Sequence, residues 1–281
     1  MEQIDTLKNG YKIIQDTERF MFGIDAVLLA DFVRFEGSGN SGSKNDETVR
    51  GSCGSIKRND KIIDLGTGNG IIPLLLSGFY PANCFTGLEI QQESAELAKR
   101  SVELNNLQDK ITIIQGDIKN AAQLFQKHSF EVVTCNPPYS VVESGKQNPK
   151  EPKAIARHEL LCTLEDVVAA ADFLLKPHGK FFMIHRPYRL AEIFGALYAH
   201  QLEPKRMRLV SPFAGEEPNM VLIEARKNAK PRLKIEPELA VYEKCEEETL
   251  AGNERRENAA GKNARQYTRQ VQEIYERQSR C

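Results

Sequence analysis

An apolar run, Lys61-Ile62-Ile63-Asp64-Leu65, passes directly into Gly66-Thr67-Gly68-Asn69-Gly70 and then into a second apolar run from Ile71 to Phe79. Few backbone geometries want a glycine at every second position between two apolar segments. A strand turning sharply into a helix is one that does. Glycine permits the turn and lets backbone N–H groups and a helix N-terminus come close to a ligand. Pro73 falls in the first helical turn, where its missing N–H is tolerated. The spacing is G-x-G-x-G and not the dinucleotide G-x-G-x-x-G, because Ile71 follows Gly70. The turn therefore has less room for a pyrophosphate.

Strands and helices alternate after this unit. Cys84 to Leu88 predicts a strand ending in Glu89, and a helix follows from Gln92 to about Asn105. An acidic residue at this strand end, about 20 residues past the glycines, is placed to accept hydrogen bonds from both hydroxyls of a ribose. A solvated surface glutamate is the alternative. Ile111 to Gln115 predicts the next strand, ending in Gly116-Asp117. Asp117 is either a helix cap or an acceptor for the amino group of a purine, with Ile118 covering the ring.

Phe130 to Cys135 predicts a buried strand, and it ends in Asn136-Pro137-Pro138-Tyr139. Asn136 offers a carbonyl oxygen, Pro137 has a carbonyl and no N–H, and Tyr139 has a flat face for stacking. Together they suit a planar ring bearing an exocyclic amine. The alternative is a strand closed by a proline turn. The segment from Ser140 to Leu160 is long and polar and carries Lys146, Lys150, Lys153, Arg157 and His158. Such a loop either grips phosphates beside the site or is solvated, since Glu143, Glu151 and Glu159 dilute its charge.

A helix is expected from Leu164 to Leu175, capped by Thr163 and stopped by Pro177-His178-Gly179, then a strand from Lys180 to His185 and a helix from Pro187 to His200. Two strands, Pro204 to Val210 and Asn219 to Ala225, follow without a helix between them. The expected fold is α/β: a seven-stranded, mostly parallel sheet with an antiparallel edge strand.

At the N-terminus, Leu7, Tyr11 and Ile13 alternate around Lys8-Asn9-Gly10, a hairpin signal. The apolar helix from Ala26 to Val33 follows, with Asp25 read as its cap. The chain divides into this hairpin and helix (1–36), an insertion rich in Gly and Ser (37–59), a sheet domain (60–227) and a tail (228–281). The tail holds a short extended piece, a charged stretch from Glu243 to Lys262, and an amphipathic helix from Gln266 to Glu276.

The 281 residues are 41% hydrophobic with a formal net charge of -1, so any nucleic-acid surface must be local. Six cysteines are scattered without a C-x-x-C pair, which argues against a zinc site or a disulfide framework and fits a reducing cytoplasm. The acidic N-terminus has no signal-peptide core, and no apolar run reaches the roughly 20 residues of a membrane span.

Taken in order, Asp64-x-Gly66-x-Gly68-x-Gly70, Glu89, Gly116-Asp117 and Asn136-Pro137-Pro138-Tyr139 resemble the S-adenosylmethionine-dependent methyltransferases that act on amines. Phe22 to Leu29 and Tyr267-x-x-x-Val271-x-x-Ile274-Tyr275 are similar to the bacterial tRNA1(Val) (adenine-37-N6)-methyltransferase family. The insertions at 37–59 and 243–262 depart from that family's compact pattern. The resemblance implies a Rossmann-like class I fold, S-adenosyl-L-methionine as cofactor, and a monomer without metal acting on tRNA. It implies that Asp64, Gly66, Gly68, Asn69, Gly70, Glu89, Ile90, Asp117, Ile118 and Asn136 bind the cofactor. By the same resemblance, Asn136, Pro137 and Tyr139 would form the catalytic pocket, and Pro138, Tyr139, Lys146, Lys150, Lys153 and Arg157 would meet the nucleic acid. Other acceptors for the same tetrapeptide are guanine N2 in rRNA, adenine in DNA and a protein glutamine. A nicotinamide oxidoreductase or a non-enzymatic RNA-binding module fits the motifs less well.

Overall fold

Strand β3 (Lys61–Leu65) is buried from its second residue onward, and β6 (Phe130–Cys135) is nearly so. Strands this apolar need cover on both faces, which parallel sheets flanked by helices provide. The computed structural model describes residues 1–17, 21–34, 56–137, 162–244 and 265–279. It shows that cover. Successive strand residues point into two separate cores: Ile62, Val132 and Phe182 into one, Ile63, Val133 and Phe181 into the other.

The first core is roofed by helices α1 (Ile24–Arg34), α2 (Ile71–Phe79), α3 (Gln92–Leu104) and α7 (Arg269–Gln278). The second is closed by α5 (Leu164–Leu174) and α6 (Leu190–Ala199), with the single turn α4 (Ala121–Leu124) beside them. Thr163 and Asp166 form a capping box at the start of α5, so the predicted cap is realised.

The sheet has the order β10-β8-β9-β7-β6-β3-β4-β5, with β11 also on β8. Strands β4 (Cys84–Glu89), β5 (Ile111–Gln115) and β7 (Leu175–His185) extend the parallel set. Strand β9 (Met220–Lys227) is antiparallel to both β7 and β8 (Leu202–Phe213). The mostly parallel sheet with an antiparallel strand thus stands, but β9 sits one place in from β8. The flank is extended by two short tail strands, β10 (Lys234–Ile235) and β11 (Leu239–Tyr242), making nine strands among the described residues. β7 starts before the proline–glycine stop. The register between β6 and β7 shifts there, and His178 takes a φ of 65°.

The N-terminal hairpin pairs β1 (Glu2–Thr6) with β2 (Lys12–Asp16), longer than the sequence suggested. Asn105 clamps it to α3, accepting from Lys12 N at 2.7 Å and donating to Lys12 O at 2.6 Å. Ser101 Oγ accepts from Ile14 N at 3.0 Å. In the tail, α7 starts and ends two to three residues later than the expected Gln266 to Glu276, and it buries the expected Val271 and Ile274 in the first core. Among the described residues, no helix is long and apolar enough to cross a membrane.

Candidate active site

The parallel register aligns the carboxyl ends of four strands. Leu65 pairs with Leu88 and Cys135, and Glu89 with Gln115. Gly66, Glu89, Gly116 and Asn136 therefore emerge along one sheet edge. β3 lies where the strand order reverses, with β4 and β5 on one side and β6 and β7 on the other. Open α/β sheets form their ligand crevice there.

Gly66, Gly68 and Gly70 all have positive φ (70°, 57° and 84°), conformations that disfavour any side chain. A Cβ built on Gly66 or Gly68 would meet nothing within 4 Å, so open space lies over this part of the loop. On Gly70 it would press on Ala98 of α3 at 3.2 Å, so that glycine serves helix packing. Gly66 and Thr67 both donate to Leu88 O, which lashes the loop to the end of β4.

Glu89 is buried, and its two oxygens are held by different amides. Gly68 N donates to Oε2 at 2.9 Å and Gln91 N to Oε1 at 2.8 Å. A carboxylate has about four acceptor sites, so capacity remains on both oxygens. Asp117 caps the following 3-10 turn (Ile118–Asn120) by accepting from Lys119 N at 2.9 Å, with the Lys119 ammonium 3.6 Å away. The capping alternative is thus realised, and Ile118 packs against the second core.

Asp64 lies beneath the loop, 2% exposed. Burial pushes its carboxyl up to about 7, while the Thr134 and Thr67 hydroxyls oppose the shift and Glu89 adds to it. Thr134 Oγ1 donates to Asp64 Oδ1 at 2.7 Å. Beside the Asp64 carboxyl and the Thr67 hydroxyl that bears on it, both polar atoms of Asn69 are buried without a hydrogen-bond partner. Buried polar atoms are nearly always satisfied, so such a cluster beside open space points to a polar ligand. These features fit the S-adenosylmethionine implied by the sequence motifs.

Asn136 stands at the end of β6 and donates from Nδ2 to Asp25 Oδ2 at 3.1 Å, across 111 residues of chain. This corrects the reading of Asp25 as a helix cap. Asp25 is the second residue of α1, and its carboxylate faces the site. Sequence reasoning missed the pairing because nothing in helical or strand periodicity links the two. It also missed His185 at the end of β7, buried and lowered to about 4 mainly by desolvation, hence neutral. Both nearby thiols are held protonated at neutral pH. Burial raises Cys135 strongly and Cys162 to about 12. Pro138, Tyr139, Lys146, Lys150, Lys153 and Arg157 lie outside the described residues.

A family model described as a methyltransferase domain matches residues 56–235, the whole of the parallel sheet and β8–β10. The tRNA1(Val) (adenine(37)-N6)-methyltransferase of Porphyromonas gingivalis is 32% identical over 178 residues, 62% of this chain and 68% of that protein. The chain belongs to this methyltransferase family. The enzyme of the same name from Dyadobacter fermentans is 28% identical over 71% of the methyltransferase and 81% of its own length. A crystal structure of a predicted O-methyltransferase from Agrobacterium tumefaciens superposes with a TM-score of 0.60 at 21% identity. It covers 91% of the methyltransferase and 96% of its own chain, a likeness of fold.

Proposed function

We propose that this methyltransferase moves a methyl group from S-adenosyl-L-methionine to the N6 amine of an adenine in tRNA, adenine 37 of tRNA(Val) being the first candidate. The observation that carries the reading is Asn136 and Pro137 at the carboxyl end of β6. They stand one strand from the glycine loop, with the Asn136 amide held by a carboxylate. The two relatives named above add the tRNA adenine.

The open space over Gly66 and Gly68, with Asp64 and Asn69 beside it, holds the cofactor's methionine end. Glu89 takes the ribose hydroxyls with its remaining lone pairs, and Ile90 lines that side. Asp117 keeps Oδ1 on Lys119 N as the cap of its turn and accepts from the adenine amine with its other oxygen, while Ile118 covers the ring. When bound, the cofactor supplies an electrophilic methyl on a sulfonium.

Adenine N6 is a weak nucleophile, because its lone pair is delocalised into the ring. Asn136 Oδ1 and the Pro137 carbonyl accept its two N–H bonds, which favours a pyramidal nitrogen with a localised pair. Alignment of the two reactants supplies on the order of 7–11 kcal/mol, so attack needs no prior deprotonation. The methylated nitrogen, cationic once the methyl has left sulfur, would then release one of its two protons to water past the Asn136 Oδ1 and Pro137 carbonyl acceptors. Tyr139 stacks on the base once it has left its own stack, and the Lys146, Lys150, Lys153 and Arg157 segment meets phosphates. A metal-free monomer in the cytoplasm belongs to the same proposal, checked by sedimentation and by cell fractionation.

The test is incubation with labelled S-adenosylmethionine and unmodified tRNA, rRNA, DNA or total protein, followed by digestion and identification of the methylated product. N6-methyladenosine from tRNA is expected. Label in guanine N2, in DNA or in glutamine rejects the assigned acceptor.

A further inference from the structure

We infer that Asp25 is a positioning residue for methyl transfer: it sets the Asn136 amide so that Oδ1 faces the acceptor amine. The inference rests on the amine-methylating reading above and adds a residue to it.

An asparagine amide has two ends of similar shape, and its flip decides whether a donor or an acceptor faces the substrate. An ionised carboxylate only accepts. With Asp25 Oδ2 at 3.1 Å from Nδ2, the nitrogen end is assigned to Asp25 and Oδ1 is turned elsewhere. The flipped amide would set oxygen against a negative oxygen. A neutral partner such as a serine would tolerate both orientations. The hydrogen bond to a charged acceptor also polarises the amide and strengthens Oδ1 as an acceptor.

The local backbone is built around this carboxylate. A Cβ on Gly23 would lie 2.6 Å from Asp25 Oδ1, so the residue two before Asp25 must be small for the carboxylate to hold its place. Oδ1 accepts from Ala26 N at 3.0 Å, which leaves Oδ2 directed at Asn136. Gln15 Oε1 accepts from Phe22 N at 2.9 Å, tying the entry to α1 to the hairpin.

The rest of α1 is anchored to strands and tail, so its first turn has a fixed place. Asp31 pairs with both Nε and Nη2 of Arg277 on α7, at 3.2 and 3.0 Å. Arg206 of β8 donates to Phe32 O at 2.6 Å, lies 3.9 Å from the Phe32 ring centre, and pairs with buried Glu224 at 2.9 Å. Helix α1, braced by α7, thereby reaches the Asn136 amide through one side chain.

Full-length Asp25→Ala, Asp25→Asn and Gly23→Ala are compared with wild type in four measurements. These are single-turnover methyl transfer with cofactor and tRNA saturating, calorimetric affinity for S-adenosylmethionine, thermal unfolding, and affinity for tRNA bearing adenosine or purine riboside at the target. Asp25→Ala is expected to lose on the order of 10–100-fold in the transfer step, as when an orienting partner is removed from a working group. Its cofactor affinity stays at the wild-type value, and its preference for adenosine over purine riboside collapses. Asp25→Asn, which keeps an acceptor but not the charge, falls between. Gly23→Ala follows Asp25→Ala in direction.

Wild-type transfer and base preference in Asp25→Ala would overturn the inference. So would a loss that merely tracks weaker cofactor binding or unfolding. If the wild-type product carries its methyl on another amine, the adenine reading falls, and the same variants are then scored on that amine.

Discussion

On the proposed cofactor side of this site, Gly68, Glu89 and Asp117 come from three successive strand ends, and their hydrogen bonds close locally: Glu89 to Gly68 and Gln91, Asp117 to Lys119. On the acceptor side, Asn136 is held by a residue 111 positions away, on a helix whose other contacts reach Arg206 and Arg277. The first side is secured by backbone turns and needs little beyond its own βα units. The second needs both chain ends in place before its one amide is oriented. Damage should therefore spread differently: changes on the cofactor side should appear in affinity and local stability, and changes on the acceptor side in the chemical step.

The largest expected effect concerns Asp64, whose burial the Thr134 and Thr67 hydroxyls compensate only in part. Its folded pKa of about 7 lies above the ordinary 3.8. Between those values the folded protein holds a proton that the unfolded chain has released, so this group's contribution falls as pH rises from about 4 to 7. Asp64→Asn should abolish that slope and raise stability at pH 8 by up to about 4 kcal/mol, from roughly three pKa units. Urea unfolding of both proteins across this range checks it. Parallel curves would show that the carboxyl costs nothing when ionised.

Asn136→Ala should lower kcat by on the order of 10²–10³-fold, the loss seen when one preorganised polar group is removed, and should lower cofactor affinity much less. Wild-type single-turnover transfer would reduce the tetrapeptide to a turn and erase the contrast between the two sides.

Glu89→Ala acts on the opposite side. On the proposed assignment it removes ribose hydrogen bonds worth about 1.5–3 kcal/mol each, and it also releases Gly68 N. Calorimetry should show weaker S-adenosylmethionine binding, and kcat at saturation should change less than KM for the cofactor. Unchanged affinity would take Glu89 out of the ribose role.

The smallest effect is expected from Arg277→Ala. Arg277 is partly exposed, so Asp31 regains some water when its partner is cut, and the loss should be near the lower end of about 1–3 kcal/mol. The sharper readout is the transfer rate, since a loosened α1 should misplace Asp25. A stability loss with an unaltered rate would show that α7 holds the fold and not the site.

The parallel sheet was legible because its causes are local. Apolar runs between turn residues, the alternate glycines and a proline in a first helical turn each restrict φ, ψ within a few positions, and the position of Glu89 follows from strand length. The same locality made the cap on Thr163 readable. Where tertiary contacts compete, the sequence fell short: Leu175 pairs with Phe130 ahead of the Pro177-His178-Gly179 stop, the register breaking across that stop, and Asp25 lies inside α1 as a partner of Asn136.

By itself the sequence determined the strand–glycine–helix units, and so the sheet edge on which Gly66, Glu89, Asp117 and Asn136 emerge. Those features depend on backbone preferences and burial periodicity within short windows. Only the tertiary structure decided that β9 runs between β7 and β8, that α7 seals the first core, and that Asp25 meets Asn136. Each of these is a contact between distant segments, selected by the shape and charge of the whole core, and no window of sequence contains both halves of it.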